Sequence, residues 1–128
     1  MSDYKREQWL SAHGWDVETK IQSNAGSETV RHFVCKALVV YYLRQQGLRV
    51  TTEAAHGDRG TVDVLCHGPE DGAPYAVEVE TSPKEETIRE KHDKYIQNSP
   101  LREMFVLNVS EMPENILDAY AWVETQLP

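Results

Sequence analysis

Two short stretches place carboxylates where they could do chemistry. In Ala76-Val77-Glu78-Val79-Glu80 two glutamates alternate with valine, and in Thr61-Val62-Asp63-Val64-Leu65 an aspartate sits in the same kind of setting. Carboxylates brought close together repel and raise one another's pKa values unless a cation joins them. Hard oxygen ligands of this type suit Mg²⁺ or Mn²⁺, which keep several waters and accept a site with two protein carboxylates. Such an ion can bind a phosphodiester oxygen and lower the pKa of an attacking water. The same alternation of valine and carboxylate also describes a half-exposed sheet face. The surroundings must decide between the two.

The elements around these stretches can be read from periodicity. A helix is expected over residues 28 to about 46, with Ser27 as N-cap and Gly47 as C-terminal stop. Phe33, Ala37, Val40, Tyr41 and Leu43 recur along it at helical spacing, and its wide apolar girth predicts burial. The period then changes to that of strands, over 48–53, 61–66 and 75–81. The cluster Gly68-Pro69-Glu70-Asp71-Gly72-Ala73-Pro74 predicts that the last two form a hairpin. Pro83 can open a second helix reaching about residue 98, with Glu85 and Glu86 favoured by the macrodipole in its first turn. Residues 104–109 read as a buried strand. From Pro113 a last amphipathic helix displays Ile116, Leu117, Tyr120 and Val123. Ahead of the core, a short helix over 3–12 and a short strand over 15–21 are expected. The fold class is therefore α/β: one domain whose helix–three strands–helix–strand core forms a mixed sheet flanked by helices. Residues 1–26 form an N-terminal extension, about 27–109 the core, and about 113–126 the C-terminal helix.

Strand geometry sends alternate side chains to opposite faces. Val77 and Val79 should face one way, with Ala76, Glu78 and Glu80 opposite. Val62, Val64 and Cys66 should share a face, with Asp63 on the other. Neighbouring strands would then bring Asp63, Glu78 and Glu80 together. Helices on both sides of the hairpin should cover part of that face, and acidic residues rarely gather in a covered place without a partner.

The run Gly60-Thr61-Val62-Asp63-Val64-Leu65, a turn, Ala76-Val77-Glu78-Val79-Glu80, and a helix containing Lys91-His92-Asp93-Lys94-Tyr95 resembles the PD-(D/E)XK nuclease superfamily. That superfamily includes restriction endonucleases and archaeal Holliday-junction resolvases. The resemblance extends from about residue 27 to 109 and implies a restriction-endonuclease-like fold. It implies that Asp63 and Glu78 hold Mg²⁺ or Mn²⁺, with the backbone carbonyl of Val79 completing the protein's share. Where most members carry a lysine, this chain has Glu80. Some variants with glutamate there supply the lysine from the following helix, which makes Lys91 the first candidate and Lys94 the second. Both are also placed for ordinary surface pairing with Glu86, Glu90 or Asp93. Glu28 would correspond to a glutamate that related resolvases place near the start of the first helix. An acid in a first helical turn is equally explained by the macrodipole. Glu53 is the alternative for that role. Tyr95 fits the family's Lys-Tyr pairing, although an aromatic at helical spacing from Ile88 is also a core pattern.

The implied activity is a metal-dependent endonuclease acting on duplex or branched DNA. The alternative is a catalytically silent module of the same fold, a nucleic-acid-binding or structural subunit of a larger nucleic-acid-processing complex. In 128 residues there is room for one core and no separate readout domain, so recognition of DNA shape and a homodimer suited to two-strand cutting are expected. The net charge of −8 runs against a broad basic grip on DNA. Either acidic groups concentrate at the metal and on outer faces, or the chain works in a salty cytoplasm where acidic surfaces preserve solubility. No apolar run approaches the roughly 20 residues of a membrane span, no signal-peptide pattern opens the chain, and Cys35 and Cys66 read as buried thiols. A cytoplasmic protein without a membrane partner is expected. His56, His67 and His92 lack zinc-ligand spacing, and neither a Walker loop nor a dinucleotide fingerprint is present. Trp9, Trp15 and Trp122 read as packing residues, the first two also as dimer contacts.

Overall fold

Thr29 begins the first helix. Its backbone is extended, and its hydroxyl accepts the His32 N–H at 3.1 Å, which satisfies one of the orphan donors of the first turn. Helix α1 (Val30–Gln45) therefore starts later than the expected cap at Ser27. In the computed structural model the described residues are Ala12, 29–56, 60–68, 74–97 and 101–128, so Ser27 and Glu28 lie outside them. So do the strand expected over 15–21, Trp9, Trp15, and the short helix over 3–12 apart from Ala12, which is helical. The other end of α1 closes as expected on Gly47. At φ +79 that residue lets Leu48 N–H reach Leu43 O (3.1 Å) and Gly47 N–H reach Arg44 O (2.9 Å). Both are the bonds of a Schellman stop.

Four strands follow: β1 (Arg49–His56), β2 (Gly60–Gly68), β3 (Tyr75–Glu80) and β4 (Glu103–Asn108), in sheet order β1-β2-β3-β4. The first three are antiparallel neighbours, whereas β3 and β4 run parallel. A parallel pair needs a crossover, here helix α2 (Glu85–Ile96). It begins two residues after Pro83. The sheet is mixed and the element order is the expected one. A 3₁₀ turn (Val109–Glu111) leads to helix α3 (Ile116–Gln126), whose Asn115 cap accepts the N–H groups of Leu117 and Asp118. Among the described residues no helix is long and apolar enough to cross a membrane.

Strand β3 is central and covered on both faces, so every residue from Tyr75 to Val79 is buried. On one face, Cys35, Val39, Val40 and Leu43 of α1 and Ala119 and Val123 of α3 pack on Val64, Cys66, Val77, Val79 and Leu107. On the other, Tyr95 of α2 packs with Val62, Ala76 and Met104. Cys35 and Cys66 are buried free thiols, as expected. Burial, reinforced by the Asp63 charge, pushes the Cys35 thiol up to about 12, so it is inert at neutral pH. One expectation fails in α3. Ile116 and Leu117 are exposed, and the packing face is set by Ala119 and Val123, four residues apart on the helix. Trp122 is half-buried against the same core.

Candidate functional site

The sheet comes apart at one point, and the acidic residues are gathered there. Pairing of β2 with β3 runs through Val64↔Val77, Leu65↔Ala76 and Cys66↔Tyr75 and goes no further. One step on, Asp63 would oppose Glu78. Instead the Asp63 carboxylate takes over the part of a ladder carbonyl, with Oδ2 accepting the Val79 N–H at 2.7 Å. On the other side of β2, Thr52 pairs with Val64 and Ala54 with Val62, which leaves Glu53 and Asp63 facing each other between them. Glu53 is left-handed, at φ +50. For a residue with a side chain that conformation costs roughly 1–2 kcal/mol.

This break changes which faces the side chains occupy. Val64 and Cys66 join the core under α1, but Val62 joins Ala76 and Tyr95 on the opposite face. Val50 and Ala54 of β1 divide between the two cores in the same way. The expectation that Val62, Val64 and Cys66 share a face is therefore wrong. Strict alternation holds only while the backbone stays extended, and at Glu53 it does not.

A cleft of about 410 Å³ opens at the break, lined by Glu53, Asp63, Glu78, Val79, Glu80 and Lys91, with His32 on the α1 side. Glu78 is only 3% exposed, and its Oε1 has no hydrogen-bond partner. Burial first, then a hydrogen bond with Asp63 and the Asp63 charge, push the Glu78 carboxyl up to about 9. Lys91 opposes that rise, and Glu80 adds to it. Lys91 reaches back from α2, its Nζ 3.5 Å from Glu78 Oε2 and 2.5 Å from Glu80 Oε1. Burial pulls the Lys91 ammonium down, but the bond to Glu80 and the charges of Glu78, Glu80 and Asp63 outweigh it. The net shift is upward, and Lys91 stays charged.

Helix α1 contributes two residues that the sequence reading did not single out. His32 Nε2 lies 2.8 Å from the Val79 carbonyl oxygen and 3.6 Å from Asp63 Oδ2. Lys36 is fully buried, with Nζ 2.8 Å from Glu53 Oε1. A signal for both was present. Polar residues four apart on an otherwise apolar helix must meet something polar on the face they share.

Asp63, Glu78, Glu80, Lys91, Val79 and Glu53 are thus brought together, and two other candidates are not. Lys94 is exposed, with its Nζ 5.2 Å from the centre of the Tyr95 ring and beside Gly60. Three positions further along α2 than Lys91, it is placed at the start of β2 and does not line the cleft. Tyr95 is buried in the smaller core, its hydroxyl donating to Thr61 O at 3.2 Å, which makes it a packing residue. Glu28 lies outside the described residues.

Among the described residues no group of three or more His, Cys, Asp or Glu side chains forms a ready metal-ligand set. The donors here are fewer and harder: two adjacent carboxyls, one with an unpartnered buried oxygen, and the neighbouring Val79 carbonyl. That set fits a hydrated Mg²⁺ or Mn²⁺, which needs only one or two protein carboxylates and fills its octahedron with water. Charge agrees. Among the described residues Lys91 is the one ammonium lining the cleft, against the carboxyl groups of Glu53, Asp63, Glu78 and Glu80, and Lys36 meets Glu53 from outside it, so the cleft is short of positive charge. Comparison with family models, curated proteins and solved structures finds no match to the chain.

Proposed function

We propose that this cleft hydrolyses phosphodiester bonds in DNA, with Asp63, Glu78 and the Val79 carbonyl holding Mg²⁺ or Mn²⁺, on a restriction-endonuclease-like domain. The observation that carries the reading is the buried, unpartnered Glu78 oxygen beside Asp63, at the point where β2 and β3 part. A carboxylate buried there is costly without a cation. When bound, the ion supplies Lewis acidity and neutralises charge at the phosphoryl group.

The rest is work for side chains. Lys91 projects into the cleft from α2 and offsets negative charge as it develops on the phosphoryl oxygens. Glu80 stands where the family pattern has lysine, and its 2.5 Å contact fixes the Lys91 ammonium. A lysine brought from the helix in this way restores the charge that the strand lacks. Asp63 does two jobs, since one of its oxygens anchors Val79 while the carboxylate faces Glu78. Selection would rest on DNA shape, with duplex or branched substrates held across two copies of the domain.

Two observations favour a silent module of the same fold instead. Lys91 is already engaged by two carboxylates, and the net charge of −8 leaves little for phosphate neutralisation. Incubating linear and branched DNA with the protein, with and without Mg²⁺ or Mn²⁺ at several salt concentrations, decides between them. Metal-dependent cleavage that Asp63→Ala and Glu78→Ala each abolish is expected. Binding of DNA without cleavage under every condition would establish the silent module.

A further inference from the structure

The break at Glu53 and Asp63 needs something to hold it open. Two strands in register on both sides of a residue pair would normally close the pair between them. Here Thr52↔Val64 and Ala54↔Val62 are in register, yet Glu53 stays left-handed and the Asp63 carboxylate turns to Val79. No glycine supplies that conformation. What does is visible on α1. The Lys36 ammonium, with no solvent exposure, sits 2.8 Å from Glu53 Oε1. A lysine taken fully out of water is bound to its counter-ion far more tightly than one at the surface, because either charge alone would be costly there. The pair thus ties the middle of β1 to α1.

We propose that Lys36 is a positioning residue: through Glu53 it holds the left-handed kink in β1 and thereby keeps the Asp63 carboxylate turned into the cleft. Lys36 is shut off from the cleft and touches no reacting atom. Its effect on catalysis rests on the nuclease reading above, but its effect on geometry does not. The chain of contacts runs from Lys36 Nζ to Glu53 Oε1, through the β1 backbone, to Asp63 opposite, and from Asp63 Oδ2 to the Val79 N–H. Without the tie, Glu53 returns to extended geometry, Asp63 is drawn toward the ladder, and the Val79 amide loses its acceptor.

Glycine separates this role from the others Glu53 could have, because it adopts positive φ without a tether. Lys36→Met should lower kcat by about 100-fold, the scale of a misplacement near 1 Å, with KM little changed. The double variant Lys36→Met/Glu53→Gly, which also avoids the stranded buried ammonium that Glu53→Gly alone would leave, should recover most of that loss. The second arm needs no catalysis. Hydrogen exchange at the Val79 amide should speed up at least about tenfold in Lys36→Met and return toward wild type in the double variant. The double variant removes both charges of the pair, so it carries the test if Lys36→Met does not fold. In that case, wild-type Val79 protection in the double variant supports the kink, and loss of protection overturns it. Unchanged kcat and unchanged Val79 exchange in folded Lys36→Met would overturn the proposal. So would failure of glycine to rescue, which would mean that the Glu53 carboxylate itself acts in the site. Absence of cleavage by the wild type removes the nuclease reading alone, and the exchange arm still decides the role of Lys36.

Discussion

Replacing Glu78 by glutamine tests the electrostatics of the cleft most directly. Glutamine keeps the shape of the side chain but cannot ionise. Glu78 is 3% exposed, and its carboxyl is raised from 4.5 to about 9 by burial and by Asp63. A carboxyl raised on folding contributes stability that is present below its unfolded pKa and lost as pH rises through its folded pKa. Between the two values the folded protein holds one more proton than the unfolded chain, so unfolding free energy falls by up to about 1.4 kcal/mol per pH unit. From about pH 6 to about pH 8 this one group removes up to roughly 3 kcal/mol, which for a domain of this size is on the order of 10 °C in Tm. Thermal unfolding at several pH values, in chelator, should therefore show a steep decline for the wild type. The Glu78→Gln curve should be flatter and should lie above it at pH 8. Adding Mg²⁺ should raise the wild-type Tm most at high pH, where the carboxylate form is available, and should leave Glu78→Gln nearly unmoved. Parallel pH curves for the two proteins in chelator would refute the argument. They would mean that the Glu78 carboxylate is solvated and that no cation is needed there.

Three further substitutions test neighbouring parts of the structure. Lys91→Met should cut turnover by about 10²–10³-fold, the usual loss when one group stabilising developing charge is removed, whereas Lys94→Met, away from the cleft, should leave the rate within about twofold of wild type. Comparable losses from both would point to a general DNA contact in place of a role at the cleft. Gly60→Ala should lower stability by roughly 1–3 kcal/mol in denaturant unfolding, because Gly60 has φ +102 and an added Cβ would stand 3.0 Å from the Tyr95 hydroxyl and 3.2 Å from Lys94 Nζ.

Most of the architecture was legible because its causes are local. The alternating valines, the turn residues between strands, Gly47 as a helix stop and the apolar run of β4 each act within a few positions, and together they yield the order of elements and the mixed sheet. Boundaries were less legible. Capping depends on which polar side chain reaches a free N–H, and Thr29 and Asn115 do so here in place of the expected positions. Exposure of Ile116 and Leu117 likewise follows from the rotation of α3 on the sheet, a long-range property.

The carboxylates divide along the same line. Sequence alone determined that Asp63, Glu78 and Glu80 lie on two neighbouring strands, since period and turn chemistry suffice for that. The order of Lys91 before Lys94 came from the family resemblance and not from the pattern of the chain. Only the tertiary structure decided that Glu78 is buried, that Lys91 reaches both glutamates while Lys94 turns to Tyr95, and that His32 and Lys36 of α1 back the site from the other side. The physical reason is that these features depend on how separate elements pack around the irregular pair Glu53 and Asp63. There Glu53 is left-handed, Val62 lies on the face opposite Val64, and the Asp63 carboxylate bonds the Val79 amide. Glu53 pairs with a lysine 17 positions earlier in the chain, a distance that no local pattern spans.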